Sequence, residues 1–185
     1  MTTTVRLGKP LERSIRAGHP WIYRDALVAA DLKRPGTGSA VDVIGKDGKF
    51  VARGLYDARS PIAVRVATLD RAVALDEAWL RARVRSALRA RRGAFDAATT
   101  DPFRWVNGEG DFLPGVVVDV YGPVAVVRLD GEAVRVWRDW VTAAVVAEGR
   151  ALGIAHVLER SRGGRGELLH GGPPPSPVEI RENGV

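Results

Sequence analysis

Over residues 1–72 the chain alternates apolar and polar positions in short bursts separated by glycine or charged turns. Val41 to Ile44 and Phe50 to Leu55 flank Gly45-Lys46-Asp47-Gly48, which predicts two strands joined by a tight hairpin. Ile62, Val64 and Val66 alternate with Ala63, Arg65 and Ala67, the pattern of a half-buried strand. Glu12 to Ala17, ahead of Gly18, predicts one short helix. The expected sum is a compact, mostly β first domain, a small β-barrel.

The period then changes. Asp76 suits the N-cap of a helix running to about Arg92, with Gly93 as its stop. Leu80, Val84, Ala87 and Leu88 fall on one helical stripe, and Arg81, Arg85, Arg89 and Arg92 on an adjacent face. Val116 to Val120 and Val124 to Leu129 predict a second hairpin around Tyr121-Gly122-Pro123. A helix from about Glu132 to Leu152 follows, with Trp137, Val141, Ala144, Val145 and Leu152 on one side and Gly153 as its end. Ala155 to Leu158 predicts a strand, residues 171–177 a proline-rich loop, Val178 to Ile180 a last strand, and Glu182-Asn183-Gly184 a turn. The fold class expected is α+β, with a boundary near residue 73.

Charge sharpens this picture. The formal net charge is +6. Residues 1–72 hold 13 basic and 7 acidic residues, residues 76–93 hold 6 and 2, and residues 94–185 hold 9 and 13. The positive excess therefore sits in the front of the chain, which points to a polyanionic partner. The absence of cysteine excludes disulfides, thiolate metal sites and a cysteine nucleophile within these 185 residues. No stretch resembles a signal peptide or a membrane helix, so the expectation is a cytoplasmic protein.

Catalytic chemistry is hard to find. His19, His156 and His170 lack ligand-like spacing, so no metal site is expected, and His156 is expected in a strand. Gly163-Gly164-Arg165-Gly166 reads as a Gly/Arg loop, because Leu169 stands where a dinucleotide fingerprint needs its third glycine. Glu109 and Asp111 lie in Asn107-Gly108-Glu109-Gly110-Asp111, which suits a side-chain-stabilised turn better than an acid/base pair.

The chemistry the sequence does support is RNA binding. The stretches Arg13 to Arg24 and Arg53 to Arg65, with the opening Arg6 to Lys9, interleave cations with planar groups. Arginine grips phosphate, and aromatic faces stack on unpaired bases. Gly18 and Gly54 would admit a close backbone. Trp21 and Ile22 read as core. Arg16, Arg53, Arg59 and Arg65 read as outward and RNA-facing, since an unpartnered buried arginine is costly.

Three segments, GHPWIYR, VARGLYDARSPIAVR and RWVNGEGDFLPGVVVDVYG, give the chain a specific likeness from Leu7 to Gly184. It resembles the PUA-containing, SAM-dependent methyltransferases that make 5-methylcytosine in large-subunit ribosomal RNA. That resemblance implies a PUA domain over residues 1–72 and a β-β-α-β-β connecting domain over residues 73–185. A Rossmann-like methyltransferase domain, with its SAM loop and catalytic cysteine, would then be absent and the chain truncated before it. No catalytic residue and no cofactor residue carries over; SAM is implied only for a full-length relative. The PUA positions that transfer are Arg16, Gly18, His19, Trp21, Arg24, Arg53, Tyr56, Ser60 and Arg65, beside Arg59. The expected partner is large-subunit rRNA, with no membrane. Three rival readings stay open: a stand-alone RNA-binding or scaffold protein, a small enzyme using Glu109 or Asp111, and an interaction module whose second part forms a homodimer.

Overall fold

The structure is a computed structural model that describes residues 2–91, 93, 99–160 and 166–184. Two compact units emerge. The first comprises residues 1–79 together with residues 130–137; the second comprises residues 80–129 and 138–185. The chain thus leaves the first unit inside a helix, returns to it for eight residues, and leaves again.

In the first unit, β1 (Thr3–Arg6), α1 (Glu12–Arg16), β2 (Trp21–Tyr23), β3 (Ala40–Ile44), β4 (Phe50–Tyr56) and β5 (Ile62–Thr68) follow in order. The strands form one sheet in the order β1-β3-β4-β5-β2. The predicted hairpin is β3 and β4, and the predicted alternating strand is β5. β1 runs parallel to β3, pairing Val5 with Val43. The expectation of a closed barrel needs correcting: β1 and β2 are the two edges of the sheet. A short 3-10 turn, Arg24–Ala26, takes the chain out of extended conformation directly after β2. What meets the end of β1 is the next segment, through the single bridge Leu7 to Leu27 and the bond from Gly8 N to Ala26 O (2.8 Å). The sheet curls without closing. Val5, Leu7, Ile15, Ile22, Val41 and Val43 fill its interior, and burial of such apolar area is the main stabilising term.

β5 does not show one wet face. Ala63, Val64, Arg65 and Ala67 are all buried. Residues 130–137 explain this, since Asp130 pairs with Arg65 (3.2 Å) and Ala133 N donates to Asp57 (3.3 Å). Gly54 has its own reason. A Cβ there would lie 2.2 Å from the Arg65 carbonyl oxygen, so only glycine allows β4 and β5 to come this close.

The helix starting after Asp76 is α2 (Glu77–Arg91), and the Asp76 carboxylate caps it by accepting from Trp79 N (2.8 Å). In the second unit, β6 (Phe103–Asn107), β7 (Val116–Tyr121), β8 (Val124–Leu129), β9 (His156–Glu159) and β10 (Glu167–His170) make a sheet in the order β10-β9-β8-β7-β6. The helical stripe Leu80, Val84, Ala87 and Leu88 is buried, and Trp105, also buried, donates its indole N–H to Val84 O (3.0 Å). This unit carries one strand more than the expected β-β-α-β-β, namely β6 ahead of the hairpin. The single helix expected over 132–152 is two, α3 (Glu132–Arg135) and α4 (Arg138–Gly149), with a final 3-10 turn. Val178 to Ile180 is not a strand. Among the described residues no helix is long and apolar enough to cross a membrane.

Candidate nucleic-acid interface

The expected RNA-facing residues separate into two sets. The first comes from one continuous stretch. In α1 only Ile15 points into the core, so Arg13 and Arg16 project outward on either side of it. Helix α1 ends at Gly18, whose φ of +100° favours glycine and whose surroundings leave nothing within 4 Å of a would-be Cβ. His19 follows, exposed and edge-on to Trp21 (ring centroids 6.5 Å apart). In β2 the period of two buries Ile22 and leaves Trp21 half-buried and Tyr23 exposed. Trp21 was expected in the core with Ile22; only Ile22 is fully inside. Lys9 completes the stretch, in an exposed pair with Asp25. Arg13 and Arg16 make no ion pair with any described residue.

The second set is turned inward. Arg53 and Asp42 face each other across β3 and β4, with Nε to Oδ1 at 2.6 Å and Nη2 to Oδ2 at 3.3 Å. Their side chains are only 11% and 6% exposed. Arg65 is 8% exposed and pairs with Asp130. The rule that an unpartnered arginine stays outside therefore does not apply to either, because each has a carboxylate partner, buried Asp42 for Arg53 and exposed Asp130 for Arg65. Tyr56 is core, its hydroxyl donating to Leu32 O (2.9 Å). Gly54 faces β5, as its packing requires.

Arg24 and Ser60 are structural at the turn after β4. Arg24 Nη2 donates to the carbonyls of Asp57 (2.6 Å) and Ser60 (2.9 Å), and its guanidinium lies 5.9 Å from the Tyr56 ring centre. Asp57 Oδ1 accepts from the backbone N–H of Arg59 and of Ser60. Burial pushes the Asp57 carboxyl up. Those two N–H groups, that of Ala133 and the nearby Arg65 more than offset it, and the net pKa is lowered. Arg59, at the tip, stays exposed. A shallow groove of about 560 Å³ lies beside this turn, lined by Lys9, Tyr23, Arg24 and Pro61 among others.

The arginines of α2 are also largely engaged. Arg81 and Arg85 both hold Glu148 (2.7 and 2.8 Å). Chiefly through the Arg85 bond they bring its carboxyl down to about 2. Arg89 is exposed, and Arg92 lies outside the described residues. Asp111 is held by Arg91 (Nη2 to Oδ2, 2.7 Å) and by Asn107 N (2.6 Å), so this carboxylate anchors a turn, as its setting in the sequence suggested. His156 lies in β9 with its Nδ1 2.8 Å from Gly172 O. Residues 163–165 of the Gly/Arg loop lie outside the described residues.

The strand-to-helix turn after β8 does not fit SAM. The strand-to-helix turn from β8 through Asp130-Gly131 into α3 lies against Asp57 and Arg65, and α3 is four residues long. No step involving SAM is assigned to this chain.

Comparison with known proteins agrees with the fold. Residues 5–69 match the family described as PUA-like domain. The whole chain is similar to the ribosomal RNA large subunit methyltransferase I of Alteromonas mediterranea, 35% identical, covering 48% of that protein. The ribosomal RNA large subunit methyltransferase of Deinococcus radiodurans is 39% identical over 68% of this chain and 31% of its own length. In structure, the chain superposes over its full length on 47% of a chain described as a SAM-dependent methyltransferase candidate from Streptococcus mutans (TM-score 0.82, 18% identity). A second such structure, a methyltransferase candidate complexed with SAH, gives a TM-score of 0.83 at 18% identity. The chain spans about half the length of the curated relatives that it matches end to end. Residues 5–69 thus match the PUA-like domain family, within a chain similar to ribosomal RNA large subunit methyltransferases over about half of their length.

Proposed function

We propose that this chain is the RNA-binding, substrate-positioning portion of a SAM-dependent cytosine-5 methyltransferase acting on large-subunit rRNA. The observation that carries the proposal is the run from Lys9 to Tyr23, where α1 presents Arg13 and Arg16, without an ion pair among the described residues, and exposed His19 then leads into half-buried Trp21 and exposed Tyr23 of β2. The relatives' names supply the substrate class. Arg13, Arg16 and Arg59 would meet phosphates, and His19, Trp21 and Tyr23 would stack on unpaired bases. Arg53, Arg65, Arg24, Tyr56, Gly54 and Ser60 would support that surface from behind without touching RNA. The methyl-transfer chemistry is not assigned to any residue here.

Filter binding of single-stranded rRNA fragments at several salt concentrations tests the reading. With ~4 phosphates neutralised, the slope of log K against log salt should be near −3, at ~0.7 per contact. Changing Arg13 and Arg16 to Gln together should lower affinity and make the slope shallower by ~1.4, with the melting temperature unmoved. Parent-like binding by this double variant would overturn the assignment.

A further inference from the structure

The second unit presents one aromatic ring in an unusual way. Phe112 is 60% exposed. Its backbone lies in the left-handed region (φ 57°, ψ 31°), a strained choice for a bulky side chain. The turn holding it is clamped on both sides. Phe112 N donates to Glu109 O (3.1 Å), Leu113 N to Gly108 O (3.1 Å), and Leu113 is buried. The residue before it, Asp111, is fixed by Arg91 and Asn107 N. The ring is therefore displayed from a rigid mount.

A cation stands beside it. The Arg83 guanidinium lies 5.3 Å from the centre of the Phe112 ring. Four neighbouring arginines of this unit are matched to carboxylates: Arg81 and Arg85 to Glu148, Arg91 to Asp111, Arg104 to Asp119. Arg83 makes no ion pair with any described residue; it rests on an aromatic face instead. An exposed ring on a fixed turn, next to an uncommitted guanidinium, is the chemistry that recognises an unpaired nucleobase and its phosphate.

We infer that Phe112 and Arg83 form a second nucleic-acid contact, Phe112 stacking on one unpaired base and Arg83 meeting an adjoining phosphate. This rests on the RNA-binding reading and extends it to a unit to which that reading assigns no contact. A left-handed backbone suits glycine, so Phe112→Gly removes the ring and relieves the strain at once.

The test is fluorescence anisotropy of the full chain with a short single-stranded oligoribonucleotide of rRNA sequence. Phe112→Gly should bind roughly ten-fold or more weaker, as loss of one stacked base predicts. Its salt slope should match the parent's because no charge is removed, and its melting temperature should equal or exceed the parent's. Phe112→Tyr should stay within about two-fold of the parent. An abasic substitution scanned along the oligonucleotide supplies a probe that leaves the protein intact. At one position it should cost as much as Phe112→Gly, and the two together no more than either alone. Parent-like affinity of Phe112→Gly, or equal losses at every abasic position, overturns the inference. If the parent itself shows no salt-dependent RNA binding, the RNA reading fails with it; if the parent binds and only Phe112→Gly is silent, the stacking contact alone is refuted.

Discussion

Replacing Arg53 by alanine separates a structural arginine from an RNA-facing one. In the native fold its guanidinium forks onto Asp42 and also donates to Val73 O, with both charged side chains nearly shut off from water. Alanine leaves the Asp42 carboxylate inside the sheet, and the nearest other cation, Arg71, is 3.9 Å away and two-thirds exposed. Removing one partner of a buried pair costs about 3–5 kcal/mol. The slight exposure of this pair argues for the lower end, about 3 kcal/mol. For a unit of this size ~1 kcal/mol corresponds to ~4–8 °C, so the melting temperature should fall by roughly 12–24 °C. Replacing both Asp42 and Arg53 by valine, which suits two facing strand positions, should recover most of that loss, to within about 1–2 kcal/mol. The assay is thermal unfolding of the three variants, with RNA affinity measured well below the melting point. A loss under ~1 kcal/mol for Arg53→Ala, combined with a clear drop in RNA affinity, would refute the reasoning and return Arg53 to the RNA surface.

Two further outcomes follow from the packing and the electrostatics. Gly54→Ala sets a methyl group against the Arg65 carbonyl; the strands must part, and a destabilisation of about 3 kcal/mol or more is expected by chemical denaturation. Glu148 titrates near 2 instead of its ordinary 4.5. A lowered carboxyl pKa adds stability that is complete above about 4.5 and vanishes as the pH falls toward 2. Glu148→Gln should therefore cost about 1–3 kcal/mol at neutral pH, discounted for the half-exposed arginines, and flatten the acid side of the stability profile. An unchanged acid limb would show that Arg81 and Arg85 are not holding this carboxylate in solution.

What could be read from the sequence was what neighbouring residues decide. The β3-β4 hairpin, the Asp76 cap and the β7-β8 hairpin each rest on contacts within a few positions. β1 escaped notice because four residues gain strand character only by pairing in parallel with β3. β2 is three residues long and reads as a fragment of core. Alternation in β5 misled for a different reason: its outward Arg65 is covered by a segment sixty-five positions away. The same logic divides the candidate interface. Arg13, Arg16, Gly18 and His19 sit on a helix and its end, where period and capping settle which way they point. The inward turn of Arg53 depended on Asp42 being opposite it across a bulged hairpin. Opposite charges nearly equidistant from a tight turn were the available signal. Tyr56 needed the carbonyl of Leu32, from an irregular segment that no periodicity marks.

The return of residues 130–137 to the first unit has a consequence for synthesis. Emerging from a ribosome, the amino-terminal sheet has all five strands once Thr68 is out, yet Arg65 still lacks Asp130, Asp57 lacks the amide of Ala133, and Trp79 lacks the indole of Trp137 that meets it edge to face. The last stitch of the first unit is made only after more than sixty further residues have appeared. Until then the first unit is a half-finished shell, and a fragment cut after α2 would lack the Asp130, Ala133 and Trp137 contacts for good.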